Sequence, residues 1–248
     1  MRTLRFGSAE VSRGFLILVN PSHPLKSQMP EDSLIPVCPG ILLERQAAKM
    51  LSKVTSFLGC GGKIAPVSGY RSMEEQRQIY ADSLRENGEA FTERYVAVPG
   101  CSEHQTGLAI DLAKRAENID FIRPDFPYTG VFGRFRELSV QYGFIERYPA
   151  GRRHITHIDH EPWHFRYVGY PHSEIMTERG LTLEEYTDYV RQFPYEGRRL
   201  RFKSSRDFEI FHVPIGREAV IEIPEGIPYQ ASGNNADGVV VTLWRDRQ

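Results

Sequence analysis

Apolar residues along the chain recur in two rhythms, and each predicts a different kind of element. Within residues 41–59, Leu43, Ala47, Met50, Leu51, Val54 and Leu58 fall at three- and four-residue intervals. That spacing predicts a helix, stopped by Gly59 and the pair Gly61 and Gly62. Ser72 with Glu75 three residues later has the form of a capping box, which predicts a second helix over 72–87. Further helices are expected over 130–143 and 182–193, the latter with Thr182 capping and Glu185 at the box position. Short apolar or alternating runs predict strands at 14–20, 63–70, 108–112 and 164–169, with a brief extended piece at 144–149. After Phe193 the pattern becomes four short strand-like runs divided by Gly, Pro, Asn and Asp. The expected organisation is a main domain over 1–195 and a small all-β extension over 196–248.

Composition narrows the class. Apolar residues are 40% and charged residues 25%, as in soluble globular proteins. A net charge of −1 excludes a general attraction to nucleic acid or anionic membrane, and the short basic clusters at Arg152–Arg153 and 198–206 are too small to change that. No run approaches the ~18 apolar residues of a membrane span. The N-terminal apolar run is too short for a signal peptide. A cytoplasmic chain without a membrane anchor is therefore expected. Cys38, Cys60 and Cys101 are odd in number and form no C-x-x-C, which fits reduced thiols. Cys101 has no Cys-His-Asn arrangement around it that would make it a nucleophile.

The candidate chemistry lies in three short stretches: "SGYRS" with Arg71, "SEHQTGLAIDL" with Ser102, His104 and Asp111, and "EPWH" with Glu161 and His164. Two histidines and a carboxylate are a standard ligand set for catalytic zinc, with a fourth position left for water. In this reading His104, Asp111 and His164 hold the metal, Glu161 is the general base and Arg71 the cation that stabilises an oxyanion. Asp111 sits between Ile110 and Leu112 in a strand entering a core, where a carboxylate needs a strong partner. Each stretch alone has a commoner explanation: a loop histidine, a capping aspartate, a turn arginine, a core tryptophan. Their joint occurrence is what carries weight. His157 and His160 are rival ligands to His164, or else lid, supporting or solvated residues. Pro162 argues against an H-E-x-x-H helix at this place.

"SEHQTGLAID" fits the pattern S-x-H-x-x-G-x-A-x-D, "EPWH" fits E-x-W-H, and "SGYRS" precedes both. Together they resemble the zinc D,D-peptidases of the VanX/VanY group, and above all the VanXY type of bifunctional D,D-dipeptidase/D,D-carboxypeptidase. The resemblance runs from "NPSHPLK" at residue 20 to "LTLEEYTDYV", ending at residue 190. It implies an α+β fold whose central antiparallel sheet, flanked by helices, carries one zinc ion per chain. It implies the ligand, base and cation roles given above. It adds Ser102 and Gln76 as holders of the substrate's terminal carboxylate, for which donors are needed. The substrates it implies are the D-Ala-D-Ala dipeptide and the D-Ala-terminated muramyl pentapeptide, whose hydrolysis removes the vancomycin target. The strands after Phe193 lie outside the resemblance; a stabilising cap, a homodimer surface and a selectivity element are the readings open for them.

Two other readings keep the zinc site. An L,D-carboxypeptidase of the same family would share these motifs, because pocket shape sets the stereochemistry of the cut. A non-hydrolytic zinc-binding module would share the ligands but would need neither Glu161 nor Arg71. A serine D,D-peptidase of the penicillin-binding type has little support, since no serine has a lysine three residues on. No phosphate-binding glycine loop is present.

Overall fold

The chain divides into two units in the computed structural model, which describes residues 1–60 and 62–245: Val19–Thr182 is one, and Met1–Leu18 with Leu183–Gln248 the other. This differs from a boundary at 195/196. Strand β1 (Arg2–Gly7) belongs with the C-terminal segment, and so does the helix that begins at Leu183. The run 14–20, expected as a strand, is not one. Its apolar residues Leu16–Val19 are buried, but its amides bond irregularly: Leu16 N to Ser232 Oγ and Leu18 N to the Asn234 carbonyl. Burial without a neighbouring strand in register explains the apolar signal.

In the unit Val19–Thr182, β2 (Leu34–Cys38) and β3 (Ile41–Glu44) pair antiparallel. That pairing takes the first four residues of the expected helix, so α1 runs Arg45–Leu58. Glu44 caps it, its carboxylate accepting from the amides of Gln46 and Ala47 at 2.8 and 3.0 Å. Gly59 ends it in the left-handed region at φ 59°; Gly61 lies outside the described residues. β4 (Ile64–Ser68) leads to α2 (Met73–Asn87), where the capping box between Ser72 and Glu75 forms as expected. Next come α3 (Glu89–Tyr95), β5 (Ala109–Lys114), α4 (Gly130–Gln141), β6 (Phe144–Tyr148), a short α5 (Arg153–Thr156), β7 (Glu161–Tyr167) and α6 (His172–Arg179).

The sheet has the order β4-β5-β7-β6 and is antiparallel throughout. Alternation along β5 and β7 sorts its two faces. Ile110 is opposite Phe165, and the ring of Phe165 packs edge-on against Phe126 and Phe135, the latter from α4, at centroid distances of 5.4 and 5.1 Å. Asp111 and His164, also directly opposite, project from the other face.

In the other unit, α7 (Leu183–Arg191) is followed by β8 (Leu200–Lys203), β9 (Asp207–Pro214), β10 (Glu218–Ile223), β11 (Tyr229–Gly233) and β12 (Gly238–Arg245). β11-β12-β9-β8 form one antiparallel sheet. β1 pairs with β10 from Arg2 opposite Ile223 to Gly7 opposite Glu218. Leu4, Phe6, Ile221 and Ile223 share a core with Phe211, Val213, Val239, Val241 and Leu243. The expected all-β extension is thus one part of a unit that also needs the first strand and α7.

Candidate metal centre

Asp111 and His164 reach the site from paired strands; His104 comes from the turn before β5. Residues Glu103–Thr106 form a single 3-10 turn, closed by Thr106 Oγ1 donating to the Glu103 carbonyl and accepting from Leu108 N. Gly107 then takes φ +67°, and a Cβ there would lie 2.9 Å from Leu34 Cδ2 and 3.1 Å from Glu44 N. Left-handed backbone and close approach both require glycine. The turn sets His104 Nε2 3.0 Å from Asp111 Oδ2, while His164 Nδ1 lies 2.9 Å from Asp111 Oδ1. One ligand atom from each of the three residues lies within 4.8 Å of the others, and all three residues are buried.

The donor set fits zinc. Two imidazole nitrogens and a carboxylate suit a borderline cation, whereas magnesium and calcium take oxygen sets. His104 Nδ1 is 2.7 Å from the Gly69 carbonyl, which accepts only, so the proton sits on Nδ1 and Nε2 presents its lone pair to the cluster. Burial and the Arg71 charge pull His104 down to about 4, so it is neutral and ligand-competent at pH 7. Burial alone would raise Asp111, but His104 and His164 hold it well below the usual carboxylate range.

Glu161 reaches the same side through an irregularity. Three positions from His164, it would point to the opposite face of an unbroken strand. Between the pairs Glu146–Phe165 and Tyr148–Glu161, β6 advances two residues and β7 four. The bulge turns Glu161 inward, with Oε2 3.6 Å from His164 Nδ1. Burial, with the Asp111 charge adding to it, pushes Glu161 up to about 8.

Arg71 is held on three sides. Its Nη2 lies 3.1 Å from Asp111 Oδ2, Nε donates to Ser68 Oγ at 2.8 Å and Nη1 to Gln76 Oε1 at 3.4 Å. Arg71, Ser102, Glu161 and Trp163 line one cavity with the three candidate ligands. Gln76 does not line it: it is fully buried behind Arg71, and its amide nitrogen donates to the Ala97 carbonyl at 2.8 Å. Among the described contacts, the Gln76 side chain meets Arg71 and the Ala97 carbonyl. Of the rival ligands, His157 is an exposed helix cap, and His160 Nε2 bonds Tyr128 Oη at 2.7 Å, so neither joins the cluster. Burial raises the Cys101 thiol, the reverse of an activated nucleophile.

Sequence reasoning missed Glu103. It is 1% exposed and forms ion pairs with Arg147 at 2.7 Å and Arg166 at 2.8 Å, both equally buried. Its neighbour His104 drew attention, but a glutamate in a polar loop carries no sign of burial.

The match of residues 41–170 to the VanY family model, described as D-alanyl-D-alanine carboxypeptidase, decides the family. The chain belongs to the VanY family of D-alanyl-D-alanine carboxypeptidases. A relative in Enterococcus gallinarum, the bifunctional D-Ala-D-Ala dipeptidase and D-Ala-D-Ala carboxypeptidase VanXYC, is 44% identical over 71% of this chain and 95% of its own length. The crystal structure of the vancomycin resistance D,D-dipeptidase VanXYg with a D-Ala-D-Ala phosphinate analogue matches with TM-score 0.96 and 48% identity, over 98% of this chain and 99% of that one. The vancomycin resistance D,D-pentapeptidase VanY from a VanB-type resistance cassette, solved as a point mutant in complex with Zn(II), matches with TM-score 0.58 and 32% identity, over 70% of this chain and 98% of that one. At 98% coverage, the VanXYg match takes in strands after Phe193 that the motif resemblance left out. Among the described residues, no helix is long and apolar enough to cross a membrane.

Proposed function

We propose that the protein hydrolyses the D-Ala-D-Ala dipeptide and removes the terminal D-Ala of the peptidoglycan precursor pentapeptide, with one zinc ion per chain held by His104, Asp111 and His164. The observation that carries this reading is Glu161, a buried acid brought by the β7 bulge into the cavity that the three donors line. A site that only stored metal would have no use for it. When bound, zinc supplies Lewis-acid charge that acidifies water and polarises a carbonyl.

The protein's own groups do the rest. Glu161 takes the proton of the attacking water and passes it to the departing amine nitrogen; a carboxylate raised by burial is suited to exchanging a proton near neutral pH. Arg71, pinned by Ser68 and Gln76, directs its guanidinium at the negative charge growing on the carbonyl oxygen. The Ser102 hydroxyl, on the wall of the same cavity, donates to the substrate's terminal carboxylate. A cytoplasmic location goes with this reading, supported by three unpaired cysteines.

The test is release of D-Ala by the zinc-loaded protein from dipeptide, pentapeptide and tetrapeptide, with and without a chelator. Cleavage of the first two, lost on chelation and restored by zinc, is expected. Cleavage of tetrapeptide alone would make it an L,D-carboxypeptidase, and zinc binding without any hydrolysis would make it a binding module. Fractionation of the producing cells tests the location.

A further inference from the structure

We propose that Glu103 is a positioning residue that fixes which nitrogen of His164 faces the metal. The inference rests on the zinc reading of His104, Asp111 and His164, and concerns the far side of one ligand. His164 directs Nδ1 toward Asp111, so its proton must sit on Nε2 for Nδ1 to offer a lone pair. Glu103 Oε2 faces that Nε2 at 3.6 Å. Both atoms are buried and have no hydrogen-bond partner among the described residues. The gap exceeds a normal N–H···O distance by roughly half an ångström, a shift that the His164 ring would have to make, since the arginines hold the carboxylate.

The way Glu103 divides its two oxygens argues against a role confined to neutralising arginines. Arg147 Nε and Arg166 Nη1 both address Oε1, at 2.7 and 2.8 Å. Oε2 is thereby left for His164. The strand pattern supports the arrangement: Arg166 lies two residues beyond His164 on β7 and shares its face, while Arg147 comes from neighbouring β6. The two guanidinium groups hold the carboxylate ionised and rigid where an imidazole N–H needs an acceptor. Carboxylate-to-imidazole contacts of this kind orient a ligand and raise its basicity.

The experiment compares wild type with Glu103→Gln for zinc affinity, by competition with a chromogenic chelator. A roughly 10- to 100-fold weaker affinity is expected of Glu103→Gln, with its cobalt(II)-substituted absorption spectrum also shifted. Unaltered affinity and spectrum would overturn the proposal. Because two buried arginines lose their counter-charge, Glu103→Gln could fail to fold, so a second measurement uses zinc-loaded wild type. Nitrogen-15 NMR of His164 should show its proton on Nε2; a proton on Nδ1 overturns the proposal without any variant. If wild type itself takes up no zinc, the metal reading falls first, and this inference falls with it.

Discussion

Asp111 and His164 stand directly opposite each other on neighbouring antiparallel strands, and their side chains meet with Oδ1 2.9 Å from Nδ1. The same carboxylate touches His104 through Oδ2. Asp111→Asn keeps the shape but removes the charge that joins both histidines. We expect zinc content to fall from about one per chain to near zero, with the circular dichroism spectrum unchanged. Metal analysis of the dialysed variant checks this, and full zinc retention would contradict the assignment.

Glu161→Gln separates the base from the ligands. Loss of general acid–base transfer should lower kcat by ~10²–10⁴-fold. Zinc content should stay near wild type, since Glu161 is not among the three donors. Steady-state kinetics beside metal analysis reads both; undiminished kcat with zinc in place would refute the role.

Gln76 offers a sharper distinction. Its side chain meets Arg71 and the Ala97 carbonyl, not the cavity. Gln76→Ala should loosen Arg71 and lower kcat by about tenfold while leaving KM nearly constant. A rise in KM at constant kcat would instead place the amide on the substrate.

His172 predicts an acid limit to stability away from the cavity. Burial pulls it down to about 3 from 6.5, so the folded chain keeps the ring neutral. Below pH 6.5 the unfolded chain takes up a proton that the folded one refuses, and stability falls as pH falls. From pH 6.5 to 5 this amounts to about 2 kcal/mol. Urea unfolding at those two pH values should show a shallower loss for His172→Gln than for wild type; equal slopes would rule out this contribution.

How far the sequence predicted these features depended on whether each signal was local. The capping box at Ser72 and Glu75, the helix at Gly130–Gln141 and the strand holding Asp111 rest on neighbours a few residues apart, and they are found as expected. The run 14–20 was misjudged because distant partners, Ser232 and Asn234, decide it; the first turn of the helix expected at residue 41 was misjudged because helical spacing does not show that the adjacent strand β2 pairs with it. The meeting of His104, Asp111 and His164 was legible because two short motifs name them. Glu103, Arg147 and Arg166 were not, since charged side chains are rarely fully buried and nothing local marks these three as exceptions. The bulge in β7 was also hidden, because it exists only in the pairing with β6.

The pairing of β1 with β10 bears on biosynthesis. Arg2 leaves the ribosome well over two hundred residues before its partner Ile223. At about 5–20 residues per second the first strand waits on the order of ten to forty seconds for that partner. Leu4 and Phe6 meanwhile have no strand beside them, a temporary edge that other nascent chains could join. The segment Val19–Thr182, with every candidate metal ligand, is synthesised in full during that wait. The cell thus has a window in which the unit with the candidate ligands can fold while the first strand still needs protection.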